Sequence, residues 1–80
     1  MLTDYVRIAM RHARYELLPE EGTYYGNIPD FQGVWATAST LESCRDELQE
    51  VLEDWIVLAL RQGHRLPAFD GVDLNVRDVA

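Results

Sequence analysis

Apolar residues in this chain follow a helical spacing at the start, a strand spacing through the middle, and a helical spacing again from about residue 39. In residues 2–12, Tyr5, Val6, Ala9 and Met10 form one stripe on a short helix that Thr3 can cap. From 13 to 18 the pattern alternates, with Ala13, Tyr15 and Leu17 set against Arg14, Glu16 and Leu18, as in a half-buried strand. Pro19-Glu20-Glu21-Gly22 has the chemistry of a hairpin turn. Residues 23–28 return as a second strand carrying Tyr24 and Tyr25, with Gly26 a candidate bulge. Pro29-Asp30-Phe31-Gln32-Gly33 breaks that strand, and 34–37 forms a third. Three short strands joined by tight connections make an antiparallel meander over 13–37.

Residues 39–62 carry the strongest pattern. Leu41, Cys44, Leu48, Val51, Leu52, Trp55 and Ala59 recur at three- and four-residue intervals, and the rest of the surface is acidic. Ser39 with Glu42 fits a capping box, and Thr40 is an alternative cap. Gly63 ends the helix where Arg61, His64 and Arg65 gather at its negative end. Its last turns, Trp55-Ile56-Val57-Leu58-Ala59-Leu60, are apolar on every side, which calls for a covering surface beyond the helix's own sheet. After it, Val72, Leu74 and Val76 alternate with Asp73, Asn75 and Arg77, a possible edge strand over 72–76 that could pair across a dimer. The pattern predicts one α+β domain over 1–80. It is a small antiparallel sheet of three to four strands packed by one long helix, with a short extra N-terminal helix. A homo-oligomer, dimer or tetramer, is expected through Ile56, Leu58, Leu60, Val72 and Leu74.

Eighty residues lie near the lower limit for a single unstapled core, and 48% hydrophobic content describes a folded chain. The single cysteine, Cys44, excludes an internal disulfide and reads as a small buried hydrophobe on the helix. No run is long and apolar enough for a membrane span and no secretory leader is visible, so a cytoplasmic location is expected. Net charge is −7, which disfavours nucleic-acid binding through this domain alone and favours a basic partner.

Little here suggests catalysis. His12 and His64 each stand near a helix end, Ser39 and Ser43 at a helix start, and the glycines are isolated. Glu42, Asp46 and Glu50 share one helix face at four-residue steps, but a hard cation usually draws ligands from more than one element, and a solvated face explains the run. No cofactor, metal or catalytic residue is expected. The aromatics Tyr24, Tyr25, Phe31 and Trp35 cluster within twelve positions. Trp35 and one tyrosine are expected in the core, the other tyrosine on the opposite face.

An aromatic-rich strand runs into Ile28-Pro29-Asp30-Phe31-Gln32-Gly33-Val34-Trp35-Ala36-Thr37, then into Ala38-Ser39-Thr40-Leu41-Glu42-Ser43-Cys44, an acidic helix, Gly63 and Leu66-Pro67. Over residues 13–67 this wording resembles the HicB-like antitoxins. The chain departs from them in carrying Ala38 where relatives usually have glycine, and in its N-terminal helix. The resemblance implies a β-β-β-α-β arrangement, a partial RNase H-like fold without the nuclease site. It also implies a role: neutralising a small basic RNA-cleaving toxin of the HicA type by covering its active site. The residues expected at that contact are Tyr25, Phe31, Glu47, Glu50 and Asp54. The alternative reading is an orphan structural or regulatory homo-oligomer with no toxin, and relatives' DNA-binding segment is not found before Ala80.

Overall fold

The structure, a computed structural model, describes residues 2–68. The expected strand over 72–76, including Val72 and Leu74, lies outside the described residues. In chain order the elements are α1 (Leu2–Arg11), β1 (Arg14–Leu18), β2 (Thr23–Asn27), β3 (Trp35–Ala38) and α2 (Leu41–Arg61). The strands form one antiparallel sheet in the order β1-β2-β3. The fold is therefore α+β, with the expected meander and long helix, and element ends shift by no more than two residues.

The turns are built as their residues demand. Gly22 takes a φ of 66° at the end of the β1–β2 hairpin, and its N–H donates to the Leu18 carbonyl at 2.8 Å. Gly33 takes a φ of 88°, which lets the next loop close with the Ile28 N–H donating to the Val34 carbonyl at 3.2 Å. That loop turns its Ile28, Phe31 and Val34 side chains inward, and all three are buried.

Three local expectations are corrected. Thr3 lies inside the first turn of α1 rather than ahead of it. Thr40, not Ser39, caps α2: its hydroxyl accepts the Ser43 N–H at 3.1 Å, so no Ser39–Glu42 box forms. A helix admits one N-cap, and β3 running to Ala38 leaves Ser39 in the bend before it. Gly26 sits in an unbroken register, opposite Tyr15 on one side and Ala36 on the other, so it marks close approach and not a bulge. The end of α2 is as expected, with the His64 N–H reaching the Ala59 carbonyl and the Gly63 N–H the Leu60 carbonyl.

Packing is in two layers. α2 lies over β2 and β3, and α1 packs beside α2. Tyr5, Val6, Ala9 and Met10 of α1 meet Leu48, Leu52, Ile56 and Ala59 of α2 in one core that also takes in Ile28, Phe31, Val34, Ala36 and Leu66. The Tyr5 hydroxyl donates to the Pro67 carbonyl and ties the chain after α2 to α1. Since α2 covers chiefly β2 and β3, Leu17 on β1 stays half exposed despite its apolar position.

Candidate functional site

Cross-strand partners share a face, so the register divides the sheet. Tyr15, Gly26 and Ala36 align, and so do Glu16, Tyr25 and Thr37 on the opposite face. A Cβ on Gly26 would stand 3.1 Å from the Cys44 sulfur, which identifies the first set as the face under α2. Tyr25 therefore points away from the helix layer. Trp35, opposite Asn27, points the same way and stacks on Tyr25 with centroids 6.2 Å apart and 27° between planes. Trp35 is 53% exposed, so its expected place in the core is corrected. The alternation could have shown this: Gly26, Ala36 and Ala38 are the small residues that allow a helix to come close, and Trp35 alternates with them.

Two expected contact residues are corrected as well. Phe31 is buried, edge-on to Trp55 at 4.9 Å and to Tyr5 at 6.5 Å. Ile56 is fully buried in the same core. Both belong to the shared core into which α1, α2 and the β2–β3 loop pack, which periodicity within α2 alone does not reveal. Leu58 and Leu60 are exposed, as is Val57.

Glu47, Glu50 and Asp54 are all exposed and fall within one strip of α2 at about 100° per residue. Among the described residues none of the three forms an ion pair or side-chain hydrogen bond. The described pairs are Arg7 with Asp4 at 3.0 Å and His12 with Asp30 at 3.6 Å. This strip faces out of the helix layer, whereas Tyr25 faces out of the sheet layer. The residues expected at one contact thus lie on opposite sides of the molecule. Among the described residues no three His, Cys, Asp or Glu side chains are placed to hold a metal ion, and Glu42, Asp46 and Glu50 point to solvent. No helix among them is long and apolar enough to cross a membrane.

Two neighbouring groups titrate abnormally. The Cys44 thiol, which donates to the Ala36 carbonyl at 3.6 Å, has its pKa raised from 9.0, first by burial and then by Glu47. Burial likewise raises Tyr15 from 10.0, with Arg45 opposing, and the buried Tyr15 hydroxyl has no hydrogen-bond partner among the described residues. A folded-state pKa above the unfolded value means that folding favours the protonated form. That contribution is complete below the unfolded values and is lost as pH rises through the folded ones. The urea midpoint is expected to hold from pH 7 to 8 and to fall from pH 9 upward. Cys44→Ala/Tyr15→Phe should flatten that alkaline decline, and an equal decline in the double variant would contradict the assignment.

A groove of 410 Å³ runs between α1 and α2, floored by Val6, Met10 and Ile56, walled by Val57 and rimmed by Arg7 and Arg45. A shallower concavity of 530 Å³ lies at Arg11, His12, Arg14 and Asp30.

The sequence matches the UPF0150-like family over residues 4–67. The crystal structure of TTHA0281 from Thermus thermophilus aligns with 95% of this chain and 94% of its own, at 45% identity and a TM-score of 0.87. No curated protein matches the chain.

Proposed function

We propose, from the premise that this chain belongs to the UPF0150-like family, that it is a non-enzymatic protein-binding module of the antitoxin type. In this reading it holds a small basic RNA-cleaving toxin and covers its active site. The observation that carries the reading is the strip Glu47, Glu50 and Asp54, exposed and without ion-pair partners among the described residues. A helix fixed by Thr40 at one end and by the Gly63 turn at the other presents these carboxylates at set spacing. A basic surface meeting them gains encounter rate and orientation. The likeness of residues 13–67 to HicB-like antitoxins supports the same partner class. Tyr25 faces the other way, so the reading assigns contact to the helix strip and leaves the sheet's outer face out of it.

The test is co-expression of this chain with the protein encoded beside its gene, read by pulldown, mass and RNA cleavage. A stable complex that silences an RNA-cleaving neighbour is the expected outcome. Glu47→Lys/Glu50→Lys/Asp54→Lys should remain folded, since all three positions are exposed, and should bind at least tenfold more weakly. A neighbour that is never bound, or binding unchanged in the triple variant, would overturn the reading.

A further inference from the structure

The outer face of the sheet serves neither the core nor the acidic strip of α2. Arg14, Asn27 and Trp35 form one rung across it, and Glu16, Tyr25 and Thr37 form the next. No described element packs on that side, since α2 covers the other face and α1 lies beside α2. Cross-strand pairing accounts for the contact between Tyr25 and Trp35, but not for what lies around it. At 6.2 Å between centroids and 27° between planes, the two rings are offset rather than overlaid, so together they present a broad apolar plate. A concavity of 540 Å³ opens beside Tyr25, lined also by Arg14, Glu16, Asn27 and Pro29. Arg14 and Pro29 line the 530 Å³ concavity at the end of α1 as well, so the two are continuous. Each is within the ~300–1,000 Å³ of small-ligand sites.

Charge narrows the occupant. Arg11 and Arg14 line these concavities, are exposed, and form no ion pair among the described residues. Arg11 stands in the last turn of α1 and complements that helix's dipole. Arg14 is on β1, beyond the helix, and shares its rung with Trp35. His12 pairs with Asp30 at 3.6 Å. The opposing charge on the sheet face is Glu16, about 7 Å along β1 from Arg14, and Glu20 and Glu21 follow in the hairpin. An anionic group thus has one favourable place, at Arg14 and Arg11. A long polyanion is repelled at every phosphate by a chain of net charge −7. A single phosphate is not, because screening within about 8 Å at physiological salt leaves the local arginines to decide.

We propose that this face binds a purine nucleoside monophosphate, with its base on the Trp35–Tyr25 plate and its phosphate at Arg14 and Arg11. Arg14 and Trp35 are two strand spacings apart, about 10 Å between Cα atoms. A ribose and the length of an arginine side chain span that gap. Asn27, between them on the rung, offers both a donor and an acceptor to the sugar. Two offset rings give more width than a pyrimidine covers, which favours a purine. The site lies across the molecule from Glu47, Glu50 and Asp54, so it does not rest on the antitoxin reading and either can fail alone.

Titration of the full chain with AMP, followed by two-dimensional proton–nitrogen NMR, tests this. Trp35 and Trp55 supply two indole N–H signals, one on the plate and one beside Phe31 in the core. The expected result is a saturable shift of the Trp35 signal, with a dissociation constant below about 1 mM, while the Trp55 signal stays in place. Adenosine should bind at least about threefold more weakly than AMP, and Arg14→Gln should abolish that difference without weakening adenosine. Trp35→Ala should weaken AMP at least about fivefold, and Trp35→Phe should keep most of the binding. Circular dichroism verifies that each variant is folded. No saturation by about 1 mM, or AMP and adenosine binding alike to the unsubstituted chain, would overturn the proposal. So would a short oligoadenylate binding more than about tenfold tighter than AMP, which would assign the face to a single strand instead.

Discussion

Phe31→Ala is expected to destabilise this protein by about 3–5 kcal/mol. Phe31 sits in the β2–β3 loop, yet it is 4% exposed and touches two aromatic rings from different helices, Trp55 at 4.9 Å and Tyr5 at 6.5 Å. Its backbone N–H donates to the Ile28 carbonyl at 3.0 Å, which aims the side chain inward. Removing the ring deletes its transfer free energy, leaves a cavity between α1 and α2, and strips two edge-to-face contacts of about 0.5–1.5 kcal/mol each, not fully additive. A domain of this length holds roughly 4–12 kcal/mol in total, so the variant should lose a large share of its stability. Urea unfolding followed by tryptophan fluorescence measures the loss, and Phe31→Leu should recover most of it. If Phe31→Ala kept its urea midpoint and instead weakened partner binding, Phe31 would be a contact residue and the core described above would be wrong.

Gly26→Ala should lower stability by about 1–3 kcal/mol, unusual for adding one methyl to a strand. The penalty is steric. The new Cβ would stand 2.9 Å from two carbons of the Tyr15 ring and 3.1 Å from the Cys44 sulfur. Neither neighbour yields freely. The Tyr15 hydroxyl is already buried without a hydrogen-bond partner among the described residues, and Cys44 is fully buried on a helix packed against β3. The β2 register holds the glycine between Tyr15 and Ala36, so the strand has no slack either. Tyr15→Leu in the Gly26→Ala background should relieve part of the clash, giving a coupling of the two positions in a double-mutant cycle. Gly26→Ala with an unchanged or raised melting temperature would show that the sheet and α2 separate more readily than this packing allows.

The fold class was readable from the chain because the period of its apolar residues changes at the right places. Tyr5, Val6, Ala9 and Met10 form the buried face of α1 as their spacing requires, and Cys44, Leu48, Leu52 and Ala59 do the same for α2. Gly22, Gly33 and Gly63, each with positive φ, stand at the turns where the sequence places glycine. The candidate site was less legible. Glu47, Glu50 and Asp54 share one exposed strip of α2, while Tyr25 fell on the far side of the sheet and Phe31 and Ile56 in the core.

Local spacing by itself determined the elements to within two residues at their ends, and most of the helix face that meets the core, since backbone geometry fixes the 3.6- and 2-residue periods wherever the element lies. It left open which face of the sheet α2 covers, with the small residues Gly26, Ala36 and Ala38 as a hint. Both faces of β2 and β3 carry apolar or aromatic residues, and only the close approach of Cys44 to Gly26 settles the choice. Nor could it show that α1 lies beside α2, the contact that draws Ile56 and Phe31 inward and opens the groove. Burial depends on neighbours distant in sequence, so the tertiary structure alone decided which apolar residues are core and which are surface.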